Sequence, residues 1–434
     1  MLSQRVVSRA IVTIAVSFLA VVGLAKSEAS APPGDTTHYR IDATIHPESG
    51  QFDVRVRMEF VPRRPTDTLR FLLHEDLSLQ NLDGPLADDY RTRPWEFGGR
   101  DSLFTTVVTL PLSRKGKPTD PVSLTWAYEG QLQTERFPPL GGPVVTPHWI
   151  ELPLEAMWVP IAASLRQRFT FDATLDLPDG YEVVSTGTIQ KNGAGWRVAS
   201  TVPTPDVPLI ISDRLRSTTH MSGPLSVTLS HAGAPDSLQS FVSDRTTRIV
   251  DRYAERFQSG RDTDELRMTL APVDRASTSS YARPGLIALR HGVTPDTSLF
   301  ELLAHEAAHL WWTDATNPAS RHNFLNESFA EYEAWRAVQA TYGEAAFRTR
   351  LERARKKANG APSFYNWAPQ HDGALSYNKG PILLHRLHER IGEATYLTFL
   401  RRLQQNDVGT LDGMLNVLRD VSSPDTAEWF AESL

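Results

Sequence analysis

No cysteine occurs anywhere in the 434 residues. Disulfides and a lipid-modified cysteine are therefore excluded, and the chain must be held by its core and whatever ion it binds. Long apolar runs are scarce too. The longest uncharged N-terminal stretch, Ala10 to Ala25, is sixteen residues, short of the roughly 20 that a spanning helix needs. Positive charge is not in excess: 45 Lys and Arg stand against 51 Asp and Glu, a net −6, which argues against a nucleic-acid partner. There is no internal repeat and no long low-complexity tract.

What is present begins at the N-terminus. Arg5 and Arg9 precede that uncharged run, and Ala29-Ser30-Ala31 follows it, the pattern of a secretory signal peptide with a small-x-small cleavage site. The expectation is removal of residues 1–31, export to the periplasm or beyond the cell, and no stable membrane span afterwards. An uncleaved anchor is the alternative. Cleavage removes Arg5, Arg9, Lys26 and Glu28, a net +2, and leaves −8. About 400 mature residues imply two or three domains.

Residues 37–215 read as short alternating runs such as Phe52 to Phe60, separated by Pro, Gly and Asp clusters. Turns are expected at Pro62–Pro65 and Arg114–Pro121, and the segment predicts a β-sandwich-like N-terminal domain. After Gly223-Pro224, strand patterns at Leu225–Ser230, Leu266–Leu270 and Gly285–Leu289 accompany a helix near Ser237–Phe257. From Pro295 the pattern is almost wholly helical. The predicted class is α+β, with a mostly helical, thermolysin-like catalytic domain over 216–434.

The chemistry concentrates in His305-Glu306-Ala307-Ala308-His309. Residues four apart on a helix share a face, so both imidazoles can reach one metal. The surrounding sequence predicts that helix over Pro295–Trp312: Thr294 as N-cap, Pro295 at N1, Asp296 in the first turn, and Leu299, Leu302 and Leu303 as its apolar stripe. Catalytic zinc takes three protein ligands, so a third is needed. Glu327, opening a second helical pattern from Asn326 to Tyr342 with Gly343 beyond it, supplies it. Glu306 is then the general base and not a ligand. Glu331, one turn past Glu327, is placed to hydrogen-bond a ligand histidine, and Glu333 is the weaker choice for that role. His385 and His388 are expected on a solvated helix face, as is the basic stretch Phe347–Lys357.

These segments, with Asn326-Glu327-Ser328-Phe329-Ala330-Glu331-Tyr332 and Ser376-Tyr377-Asn378-Lys379-Gly380, resemble the M1 family of zinc metallopeptidases, the gluzincin aminopeptidases. The resemblance implies one Zn2+ held by His305, His309 and Glu327, with Glu306 as base and peptide as substrate. It also implies that Tyr377 is the tyrosine that stabilises the tetrahedral intermediate. A diffuse similarity to that family's β-domain runs through Tyr39–Pro47, Leu72-Leu73-His74 and Trp158-Val159-Pro160.

Three departures qualify the expected activity. The stretch between His309 and Glu327 is one residue shorter than is usual in the family, which a loop absorbs. Ser328 stands where glycine is usual. Most consequentially, Ser280-Tyr281-Ala282-Arg283-Pro284-Gly285 puts Ala282 and Arg283 where the family carries the glutamate that holds the substrate's α-amine and its neighbouring asparagine. An amine without an anionic partner is costly to bury, and an inward Arg283 would repel it. Glu151 or Glu155 is a possible replacement. The family's large C-terminal helical domain is not expected either. Aminopeptidase, endopeptidase, and a non-catalytic peptide-binding module with a structural or vestigial zinc site all remain open readings.

Overall fold

The computed structural model describes residues 37–434 except 62–67, 85–88, 95–104, 112–121, 133–143, 166, 194, 223–224, 258–263, 273–279, 291, 313–319 and 407. The signal segment 1–31, the turns expected at Pro62–Pro65 and Arg114–Pro121, and Gly223-Pro224 lie outside the described residues.

Alternation dictates the N-terminal architecture. Along His38–His46 the side chains of Tyr39, Ile41, Ala43 and Ile45 are buried and those between them are not, and Phe52, Val54, Val56, Met58 and Phe60 repeat this along Gln51–Phe60. Period-two burial gives each strand one core face. These two strands sit inside a seven-stranded sheet, beside two four-stranded sheets. Their inner faces enclose a core that runs in sequence from Tyr39 to Ile211. Tyr39 stacks on Phe169 and donates its hydroxyl to the Pro160 carbonyl.

The second core runs from Leu225 to Leu434. It starts with a five-stranded sheet in the order Arg216–Ser222, Leu225–His231, Glu265–Leu270, Leu286–Leu289, Tyr281–Arg283, so Tyr281–Arg283 is an edge. The three central strands run parallel and the outer two antiparallel to their neighbours. Helices α1 (Asp236–Phe257), α2 (Thr297–Ala308), α3 (Glu327–Tyr342), α4 (Glu344–Ala358), α5 (Gly380–Gln405), α6 (Leu411–Val421) and α7 (Pro424–Ser433) complete this half. A sheet-rich N-terminal part followed by a helical part is the α+β class expected from the sequence.

A third, small cluster joins the halves, with Val144, Trp149, Val184 and Ile210 on one side and Tyr281, Leu286 and Ala288 on the other. The edge strand therefore lies at the seam. Among the described residues, no helix is long and apolar enough to cross a membrane.

Candidate metal centre

Helix α2 is shorter than its sequence pattern suggests. It starts at Thr297, not Pro295, because the cap is Asp296: its carboxylate accepts from the Ser298 and Leu299 amides at 2.8 and 2.9 Å. Thr294, the expected cap, instead hydrogen-bonds Asp296. The helix ends at Ala308, and the backbone then turns so that Trp311 and Trp312 enter an aromatic cluster with Tyr253, Phe257 and Phe329.

The turn after Ala308 sets the tautomer of His309. Its Nδ1 meets the Trp312 carbonyl at 3.0 Å, an acceptor, so Nδ1 carries the proton and Nε2 is left to a metal. His305 follows the same logic through Glu331, whose Oε2 lies 2.9 Å from His305 Nδ1. The two Nε2 atoms are 3.2 Å apart, and Glu327 Oε2 is 3.2 Å from one and 3.5 Å from the other. A tetrahedral ion about 2.0–2.1 Å from each ligand would space its ligand atoms roughly 3.3 Å apart. Among the described residues, these three side chains form the one His/Cys/Asp/Glu group close enough to hold a metal ion, and their donor set fits zinc.

The electrostatics fit a cation as well. Burial opposes the His305 charge, but Glu327 and Glu331 outweigh it and raise the imidazole well above its ordinary range. Burial likewise works against ionised Glu327, and His309 and His305 together overcome it and hold the carboxyl well below its usual value. The three side chains thus have the charge balance that an ion would replace. Glu306 lies almost wholly buried beside them, and burial raises its pKa against the pull of both histidines. The Tyr377 ring stacks near His305, centroids 5.8 Å apart. Burial first, then the Glu327 charge, raises its phenol well above 10, which keeps it a proton donor.

Local sequence patterns missed several supporting groups. Glu331 also accepts from Trp335 Nε1 at 3.1 Å and pairs with Arg350, which pairs in turn with Glu301. Arg350 belongs to the basic stretch expected on a solvated face; instead its side chain is only 12 % exposed and anchors the carboxylate behind His305. Its signal was an arginine on the apolar side of an otherwise charged helix, next to Phe347, Leu351 and Ala354. Glu333, the weaker choice for holding a histidine, is not near them: it is fully buried against Arg256 at 3.1 Å. His385 and His388 are also not on a solvated face. His388 stacks on Tyr396 and lies between the Tyr332 hydroxyl at 2.9 Å and Glu393 at 2.7 Å, and burial lowers its pKa to about 4.

Arg283 does not carry a free charge. It forms a bidentate pair with Asp206 of the β-half, both contacts 2.6 Å, and so staples the edge strand across the seam. Of the two glutamates considered as amine partners, Glu151 accepts from Trp149 Nε1. Glu155 is different: its Oε2 is sealed from solvent without a hydrogen-bond partner, and burial raises its pKa to about 8 despite Arg283 nearby.

Comparison with solved structures bears on the fold. An M1 zinc metallopeptidase from Deinococcus radiodurans superposes with a TM-score of 0.71 at 15% identity, covering 93% of this chain and 95% of its own. A substituted form of that enzyme, bound to a Tyr-Ser-Ala substrate, gives 0.70 over the same coverage. Yeast LTA4 hydrolase gives 0.69 at 15% identity, over 91% of this chain and 66% of its own. No family model and no curated protein matches the sequence. The chain has the fold of the M1 zinc metallopeptidases.

Proposed function

We propose that this chain is an exported, zinc-dependent peptidase whose ion is held by His305, His309 and Glu327. The observation that carries the reading is the three-atom ligand set with two histidine tautomers fixed to present Nε2 and Glu306 beside it. When bound, zinc would act as a Lewis acid toward the scissile carbonyl and acidify the attacking water. Glu306 receives that water's proton on its carboxylate and passes it to the leaving amine; its raised pKa suits a group that must hold a proton for part of the cycle. Tyr377 donates its phenolic hydrogen to the oxygen on which negative charge develops.

Glu306→Gln keeps all three ligands and removes the base. Zinc stoichiometry should be unchanged while peptide turnover falls by about 10²–10⁴-fold or more; a variant that still turns over at the parental rate would sink the mechanism.

A second element of the reading concerns which peptides are cut. The edge strand Tyr281–Arg283 has a sheet neighbour on one side only, the setting in which an extended peptide can add as a strand, but Ala282 gives no carboxylate for a terminal ammonium and its carbonyl accepts from Arg283 Nη1. We therefore assign a peptidase that does not require a free N-terminus. Paired libraries with free and acetylated N-termini should be cleaved at similar kcat/KM, whereas strict dependence on the free amine would restore the aminopeptidase reading. Export rests on residues 1–31; a mature protein that still begins at Met1 would contradict cleavage of that segment, and recovery in the cytosolic fraction would contradict export.

A further inference from the structure

The turn bearing Tyr377 is wound more widely than an α-helix. Leu375–Lys379 forms a π turn between Asp372–Ala374 and α5. Such turns displace backbone carbonyls from their ordinary i+4 amides, and those groups need other partners. The Ser376 carbonyl finds one in Ser328 Oγ, 2.8 Å away on α3, directly after Glu327. A Cβ at Gly380 would come within 2.0 Å of that same Oγ, so glycine at 380 is what allows the bridge.

A second tie runs parallel to the first. Asp372, fully buried, accepts from Trp367 Nε1 at 2.7 Å and Ser376 Oγ at 2.8 Å through Oδ1, and Asn323 Nδ2 lies 3.3 Å from Oδ2. Asn323 belongs to the 3-10 turn Arg321–Leu325 that leads into Glu327. The backbone before Glu327 and the backbone after it are thus each tied to residues just ahead of Tyr377. A buried carboxylate is expensive, which is why its pKa rises to about 6, and core packing alone would be served better by an apolar residue.

We propose that Asp372 and Ser328 are positioning residues that fix the Tyr377 phenol relative to the metal ligand Glu327. This rests on the peptidase reading given above. Ser328, at a position where the resemblance leads one to expect glycine, is then a working part of the site.

A double-mutant cycle separates positioning from general support of the fold. Ser328→Ala and Asp372→Ala, each in zinc-loaded protein, should lower kcat about tenfold with KM nearly constant, and lose less than about twofold when Tyr377→Phe is already present. Asp372→Asn, which retains the Oδ1 acceptor, should stay within about threefold of the parent. Equal losses with and without the Tyr377 hydroxyl, or no loss at all, would overturn the proposal. If Asp372→Ala fails to fold, Ser328→Ala carries the same comparison. The cycle can also be read by calorimetric binding of a phosphinic tripeptide, which mimics the tetrahedral species and needs no turnover. A parent that binds the phosphinic peptide but cleaves nothing defeats the peptidase reading alone; additive effects on that binding defeat the positioning role alone; a parent that binds none defeats both.

Discussion

The metal corner and the seam corner of the molecule are built on opposite plans. At the metal corner the charged groups interlock: Glu331 is held by His305, Trp335 and Arg350, and Arg350 by Glu301 in turn, with only Arg350 Nη1 of these groups left buried and unpaired. At the seam, Arg283 and Asp206 are locked together while Glu155, close enough to feel them, keeps one carboxylate oxygen buried and unsatisfied. The difference teaches that the candidate metal centre is fixed redundantly within one core, whereas the edge strand is held across the seam between two cores by the Arg283–Asp206 ion pair, a small apolar cluster and the Thr186–Pro284 hydrogen bond.

Breaking that ion pair should have the largest effect on stability. Asp206→Ala leaves a mostly buried Arg283 without its carboxylate and should cost about 3–5 kcal/mol in denaturant unfolding, while zinc affinity of the folded fraction stays unchanged. Loss of zinc together with stability would show that the two corners are not independent. Glu331→Gln tests the other side. It keeps the shape but weakens the hold on His305, so zinc affinity should drop by about 10–100-fold in a chelator competition; parental affinity would mean the redundancy is greater than the hydrogen bonds imply.

The smallest effect expected is a pH dependence at Glu155. Its folded pKa of about 8 lies above the ordinary glutamate value of about 4.5, so its contribution is fully present below about 4.5 and is lost as pH rises through about 8. The stability of the parent relative to Glu155→Gln should therefore decline from pH 5 to pH 9. Because the side chain is partly exposed, solvent limits the change to about 1–2 kcal/mol. A pH-independent difference would show that Glu155 is satisfied at the seam after all.

The metal corner was the more legible of the two in sequence. A four-residue spacing places two histidines on one face whatever surrounds the helix, and Glu327 stood at the head of a helix with a clear apolar period and a glycine after it. The N-terminal sheets were legible through strict alternation at Tyr39–Ile45 and Phe52–Phe60. Errors arose where a residue's role depends on something distant. Arg350 and His388 sit in charged stretches that look solvated, yet each is buried by contacts many residues away. The cap of α2 lies two residues beyond the one its pattern suggests, because Thr294 and Asp296 are both good caps and only the backbone turn chooses between them.

The sequence by itself determined the chemistry on offer: which side chains can hold an ion, which carboxylate can take a proton, and that Ala282 removes an anion from the edge strand. Only the tertiary structure decided where Arg283 points, what orients His305 and His309, and how Ser328 and Asp372 reach the turn of Tyr377. Helix period and strand alternation are properties of near neighbours along the chain, whereas His305–Glu331, Ser328–Ser376, Asn323–Asp372 and Arg283–Asp206 join residues 26 to 77 positions apart, and the short-range contacts of His309 and Asp372 depend on turns that packing sets.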